Sequence, residues 1–184
     1  MFLLPRTFSE YASGFGDASA ELWLGNDVIH HMSRDRRLEL RVVMRDTFGQ
    51  RWEARYQHFH VGSRRDLYRL QLSGYHGNAT DSMTHAHQAG FSTADRDNDG
   101  SRSHCAMYKG GGWWYSQCDV TNLNGDYKVG IVWYYTVWRD WLHMKETVMM
   151  VRPVPGGGGE RGAGRKRRVK GKGKRLKVKK KRKG

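Results

Sequence analysis

The run Asp95-Arg-Asp97-Asn-Asp99-Gly100 places carboxylates at alternate positions among turn-forming residues. Such a pattern lets carboxylate and backbone oxygens converge on one hard cation, and calcium accepts about six to eight of them. The run opens like an EF-hand loop, but the twelfth position counted from Asp95 is Ala106, where that loop needs a bidentate Glu. The flanks, Gly90-Phe-Ser-Thr and Ser103-His-Cys, are poor helix formers. Spacing alone leaves two readings: a calcium loop of another kind, or a solvated cluster of Asx turns. Downstream, Cys105 and Cys118 bracket Trp113-Trp114-Tyr115. Two cysteines cannot make a disulfide framework or a four-thiolate zinc site. They allow one local bridge, worth roughly 3 kcal/mol in the chain-entropy picture, or two free buried thiols. His85, His87 and His104 lie near the acidic run, yet none stands at a recognisable spacing from a nucleophile. The expectation is therefore no enzyme. Asn78-Ala-Thr80 is an N-glycosylation acceptor in a chain that enters the secretory pathway.

Regular elements must position these residues. Ser9-Glu-Tyr-Ala-Ser-Gly-Phe-Gly16 reads as a short helix capped by Ser9 and ended by glycines. Asn26-Asp27 offers the cap of a second helix over Val28–Met32. Leu38, Leu40, Val42 and Met44 alternate with Glu39, Arg41 and Arg45. Trp52, Ala54 and Tyr56 alternate with Arg51, Glu53, Arg55 and Gln57, and Tyr68, Leu70 and Leu72 with Arg69, Gln71 and Ser73. Period two with one polar face predicts antiparallel sheet with one solvated face. The connectors 46–50 and 62–66 are short enough for hairpins. From Gly74 to Asp126 the periodicity disappears. A stretch of that kind in a domain is normally functional or tied down, and a metal and a disulfide are the devices at hand. Strand signals return at Gly130–Tyr135 and Glu146–Arg152, and Pro153, Pro155 and four glycines then close the domain.

The 184 residues carry a net charge of +15, unevenly distributed. Residues 156–184 hold fifteen Lys and Arg against the single acid Glu160, so the first 155 residues are nearly neutral. All aromatic residues precede the tail. Two parts follow: a domain over 1–155, long enough for one sizeable core, and a Gly/Lys/Arg-rich tail over 156–184 whose like charges favour disorder. In the tail, Arg165, Lys166, Arg167 and Arg168, then Lys179, Lys180, Lys181, Arg182 and Lys183, suit polyanions such as heparin or nucleic acid, held through counterion release. Disorder of the whole chain, a collagen rod and a coiled coil are excluded by composition. No apolar run approaches the ~20 residues of a membrane span. Met1–Arg6 is too short for a secretory h-region, so the chain as written shows no export signal.

Joined together, several segments resemble the fibrinogen C-terminal domain family. They are Phe91-Ser-Thr-Ala-Asp-Arg-Asp-Asn-Asp99, Cys105-Ala-Met107, Gly112-Trp-Trp-Tyr115, Cys118, Asn122-Leu-Asn-Gly125 and Met149-Met-Val-Arg-Pro153. Gly14-Phe-Gly16, Leu22-Trp-Leu-Gly-Asn26, Leu38-Glu-Leu-Arg-Val42 and Gly77-Asn-Ala-Thr-Asp-Ser82 fit in the right order. The resemblance covers roughly residues 6–153. Gly74-Tyr-His-Gly77 and Asp81-Ser-Met83 make it most tenascin-like, and it is also similar to ficolins and angiopoietins. It implies an α+β fold: a central twisted antiparallel sheet, short helices and a loop-rich calcium and recognition subdomain. It implies a secreted, non-catalytic, calcium-stabilised domain that binds glycans or extracellular-matrix and cell-surface proteins. The alternative is a polyanion-binding protein driven by the tail. Carried over residue by residue, Ca2+ falls to the side chains of Asp97 and Asp99 and the carbonyls of Ser101 and Ser103. The bridge is Cys105–Cys118. A ligand pocket falls beside it, with Tyr108, Trp113, Trp114, Tyr115 and Asp119. The chain departs from the family in lacking the usual N-terminal subdomain and in having only Lys128-Val129-Gly130 between Tyr127 and Ile131. Lys109 stands where several members have Tyr, and Asp119 where lectin members have His. An ionised carboxylate only accepts hydrogen bonds, so weak binding of N-acetylated sugars is expected.

Overall fold

A computed structural model describes residues 6–118, 120–126 and 130–154, and the backbone of 180–181. In chain order the elements are α1 (Phe8–Ser13), β1 (Phe15–Gly16), β2 (Leu22–Trp23), α2 (Asn26–Arg34), β3 (Leu38–Asp46) and β4 (Arg51–Val61). A 3-10 turn (Arg64–Asp66), β5 (Leu70–Gly77), a second 3-10 turn (Met83–Ala86) and α3 (Cys105–Lys109) follow. The chain continues through β6 (Thr121–Asn122), β7 (Val132–Tyr135), β8 (Asp140–Pro153) and β9 (Lys180–Lys181). The main sheet runs β5-β4-β3-β8-β7-β6, with every pairing antiparallel. β9 pairs with β8 at Glu146 and Thr147.

The alternation read from the sequence produces the two faces of this sheet. Leu38, Leu40, Val42, Met44, Trp52, Ala54 and Tyr56 are buried on one side. On the other, Glu53 takes guanidinium groups from Arg41 (2.6 Å), Arg51 (3.6 Å) and Arg55. β8 belongs to two neighbourhoods. Its first four residues, Asp140–His143, pair with β7, and Met144–Pro153 pair with β3. One strand therefore joins the central sheet to the irregular region beyond it. Asp46 pins the β3–β4 turn: Oδ1 accepts from the amides of Phe48 (2.9 Å) and Gln50 (2.8 Å), and Oδ2 accepts from Trp52 Nε1 (2.9 Å).

Three expectations shift. The cap of α1 is Thr7, not Ser9. Thr7 Oγ1 accepts from the Glu10 amide (3.2 Å) while Glu10 Oε2 accepts from the Thr7 amide (2.8 Å). This reciprocal box satisfies two otherwise free donors. The cap of α2 is Gly25, with no side-chain hydrogen bond. Its φ of +100° and the backbone of Ser13 and Ala12, 2.8–2.9 Å from where a Cβ would stand, require glycine. Asp27 instead accepts from the Tyr68 hydroxyl (2.6 Å). Tyr68 itself is not in a strand: Leu67 and Tyr68 are left-handed (φ 53° and 51°), and β5 starts at Leu70. The basic side chains of residues 165–168 and 179–183 lie outside the described residues, apart from the backbone of Lys180 and Lys181.

Candidate functional site

Between β5 and β7 the chain is held by side chains more than by ladders. Phe91, Trp113, Trp114 and Tyr115 are fully buried, with Trp23 and Tyr11 packed against them. Ser92 and Trp113 exchange backbone bonds of 2.9 and 3.0 Å. Gly112 passes so close to Tyr11 and Phe91 that a Cβ would stand 2.6 and 2.8 Å from their rings, and its amide donates to the Tyr11 hydroxyl (2.9 Å). Burial pushes the Tyr11 phenol up to about 12, against the lowering effect of that amide. Asn122 and Asn124, both buried, link the far side of the region: Asn122 Nδ2 donates to the Lys109 carbonyl (3.2 Å), and Asn124 Nδ2 to that of Gly112 (3.0 Å). Buried amides of this kind satisfy backbone groups that have no ladder partner.

The three aspartates of the acidic run have different tasks. Asp95 Oδ1 accepts from the Phe8 amide at the start of α1 (2.9 Å) and from Thr93 Oγ1 (2.7 Å). It therefore ties the loop to the N-terminal helix. Asp97 Oδ1 accepts from the Asp99 amide (3.2 Å). Asp99 Oδ1 accepts from the Ser101 amide (2.9 Å) and Oδ2 from the Cys105 amide at the start of α3 (3.0 Å). Burial raises the Asp99 carboxyl above the usual range and the neighbouring Asp97 carboxylate raises it further, while the two amides pull it down. Two neighbouring carboxylates in a turn-rich loop suit the oxygen-donor chemistry of calcium. Among the described residues, no three His, Cys, Asp or Glu side chains converge as metal ligands. His104 Nε2 meets the Thr93 carbonyl (3.0 Å), and His87 Nδ1 accepts from the Leu72 amide (3.1 Å), so both rings serve the framework.

Cys105 and Cys118 are joined, with Cα atoms 4.9 Å apart, and no described cysteine is free. Beside the bridge is a cavity of about 680 Å³. Gly100, Ser101, Arg102 and Ser103 from the acidic loop form one wall, Tyr108 and Lys109 from α3 a second, and Gln117 and Cys118 the third. Tyr108 is largely exposed, as is its neighbour Met107. The structure thus brings Ser101, Ser103, Tyr108 and Cys118 to one site. It corrects the place of Trp113, Trp114 and Tyr115, which do not line the cavity. Their rings are buried in the core, where Trp114 Nε1 donates to the Tyr68 carbonyl (2.7 Å) and the Tyr115 hydroxyl to that of Gly111 (2.8 Å). Asp119 lies outside the described residues. Arg102 and Gln117 were not expected at the site. Their positions next to the acidic loop and to Cys118 were the available signal.

The chain is 39% identical over 150 residues to protein scabrous of Drosophila melanogaster, covering 82% of this chain and 19% of that protein. It is 45% identical over 136 residues to human tenascin-R, covering 71% of this chain and 10% of that protein. The chain therefore spans a small part of the curated relatives it matches. Lamprey fibrin D-dimer, solved with the peptide Gly-His-Arg-Pro-amide, superposes with a TM-score of 0.74 at 29% identity, over 91% of this chain and 62% of that one. Residues 3–154 match the model of the C-terminal globular domain of fibrinogen beta and gamma chains, and the chain belongs to that family.

Proposed function

We propose that this domain is a secreted, non-catalytic recognition module, with a calcium-holding loop that shapes a partner-binding surface beside the Cys105–Cys118 bridge. The observation that carries this reading is the shared wall: Ser101 and Ser103 line the cavity, and the same loop presents the facing carboxylates of Asp97 and Asp99. A cation there would relieve the repulsion between those carboxylates and fix the loop. Asp97, Asp99 and the carbonyls of Ser101 and Ser103 would hold it. The partner class is an extracellular or cell-surface protein before an N-acetylated sugar. Arg102, Lys109, Gln117 and Tyr108 give the cavity polar, donor-rich walls, whereas an acetyl group is neutral and needs a shaped apolar slot. The lamprey relative's complex with a short peptide supports the same class.

The test is thermal unfolding with and without calcium, beside binding of the labelled full chain to intact cells. Calcium at about a hundredfold over its dissociation constant should add ~2.7 kcal/mol to stability. Asp99→Asn should remove that gain, and chelation or Tyr108→Ala should weaken cell binding. Binding indifferent to both, or retention on acetylated resin with release by free N-acetylglucosamine, would contradict the reading. A second reading rests on the basic tail: a heparin-like polyanion held electrostatically, with affinity falling steeply as salt rises. Competition by soluble heparin separates the two, because only tail-driven binding should disappear.

A further inference from the structure

The tip of the β7–β8 hairpin exposes large apolar side chains. Val137 is 69% and Trp138 60% accessible. Trp138 is nevertheless fixed. Its ring stands edge-on to Trp52 (5.9 Å) and to Tyr135 (4.8 Å), and those two rings are 5.0 Å apart. Adjacent large apolar side chains that are both exposed and held in place by ring contacts form a surface suited to a contact.

What lies beside this platform is the glycosylation acceptor. Asn78 is exposed. Its Oδ1 accepts from the Glu53 amide (2.7 Å) and its Nδ2 donates to the Arg51 carbonyl (3.4 Å), so it grips the β4 backbone on both sides of Trp52. The residues after it lie on β7. Trp133 Nε1 donates to the Ala79 carbonyl (2.6 Å). Thr80 Oγ1 donates to the Tyr134 carbonyl (3.3 Å) and accepts from the Thr136 amide (3.4 Å). The fold thus sets the sequon Asn78-Ala-Thr80 against the base of the aromatic tip, although the two are far apart in sequence. No other asparagine in the chain is followed by x-Ser or x-Thr.

We propose that Asn78 carries an N-linked glycan, and that its first N-acetylglucosamine lies against Trp138 and covers the hairpin tip. In the transfer, Asn78 Nδ2 forms a bond to the sugar C1 of a lipid-pyrophosphate-linked oligosaccharide. The C1–O bond to the lipid pyrophosphate breaks, and Nδ2 gives up one of its two protons. Oδ1 is untouched, so its 2.7 Å bond to the Glu53 amide persists and keeps the attachment point beside Trp52. The sugar's C–H face then meets the indole ring, and the indole keeps its apolar body covered while its polar edge stays wet. This inference rests on the secretion reading above.

The experiment supplies export directly, with a cleavable signal peptide on the full chain, so its result is separate from whether the natural protein is secreted. Intact mass before and after peptide N-glycosidase reports occupancy of Asn78. Hydroxyl-radical footprinting reports exposure of Trp138, with Met107 on α3 as a remote exposed reference. The expected result is a glycan lost on enzyme treatment, with Trp138 oxidised several-fold more slowly in the glycosylated chain than in Asn78→Gln, while Met107 is unchanged. Trimming to a single sugar should keep most of the protection. Enzymatic removal of the whole glycan from the folded protein provides the same comparison should Asn78→Gln fold poorly. An unmodified Asn78, or equal oxidation of Trp138 with and without the glycan, would overturn the proposal. So would protection in Asn78→Gln that grows with protein concentration, which would assign the tip to a second copy.

Discussion

The central sheet and the segment between β5 and β7 solve the same problem differently. In β3, β4 and β8 the backbone groups are paired by long antiparallel ladders, and side chains only choose which face is buried. Among the described residues from Asn78 to Ile131, few backbone groups have ladder partners. There the chain is closed by Asn122, Asn124, the Tyr11 and Tyr115 hydroxyls, two tryptophan indoles and one disulfide. Each of these links depends on one specific side chain. The sheet should therefore absorb substitutions by repacking, whereas the irregular region should fail at single residues.

The largest test of that contrast is Trp114→Ala beside Leu40→Ala, both buried. Leu→Ala in a core costs about 2–5 kcal/mol. Trp114→Ala should cost ~3–5 kcal/mol for the cavity, with about 1–3 kcal/mol more for the Tyr68 carbonyl it leaves unpaired. Urea unfolding should rank Trp114→Ala as the more damaging. The reverse order would mean that the aromatic cluster is as tolerant as the sheet.

Removing the bridge is the next step down. Replacing Cys105 and Cys118 together by alanine should lower stability by ~3 kcal/mol, on the loop-entropy scale. The location of the loss matters more than its size. Hydrogen exchange should accelerate at the amides of residue 105 in α3 and of Gly110, which caps its end, while those of Val42 and Val148 in the sheet stay protected. Uniform acceleration would show that the two regions unfold as one unit.

The contrast also governs what could be read from the sequence. Alternation at Leu38–Met44 and Trp52–Tyr56 announces both strands and their buried face, because a ladder imposes a period. A side-chain-held region imposes none. Nothing in Asp95, Asp97 and Asp99 shows that the first is claimed by the amide of Phe8, a long-range contact. Trp113-Trp114-Tyr115 marks a dense site, but the same three residues could wall a pocket or fill a core, and only their burial decides. The left-handed Tyr68 is likewise invisible to alternation, since its conformation is set by the turn before β5. The cap of α1 is legible as Thr7-x-x-Glu10, a capping-box pattern, although Ser9 two residues on is also a cap-forming type.

That cap gives the smallest and most pH-specific effect. The Thr7 amide and Arg6 lower the Glu10 carboxyl to about 2, from an ordinary value of 4.5. A carboxyl depressed on folding contributes stability that is present above its unfolded value and is lost as pH falls through its folded one. The window is therefore from about 4.5 down to about 2. The Arg6–Glu10 ion pair at 2.7 Å is well exposed, so water and salt screen its share, and the cap itself sets the scale. Glu10→Gln keeps a carbonyl for the Thr7 amide and removes the charge. It should cost less than about 1 kcal/mol at neutral pH, at the low end for a helix cap. The difference between wild type and Glu10→Gln should shrink steadily as pH falls across that window, read as the gap between their thermal midpoints. A gap that stays constant to the acid end would mean that the carboxylate adds nothing beyond what the amide supplies. Then α1 is held by Asp95 and the buried rings of Phe8 and Tyr11, and even this ladder-free helix depends on the irregular region.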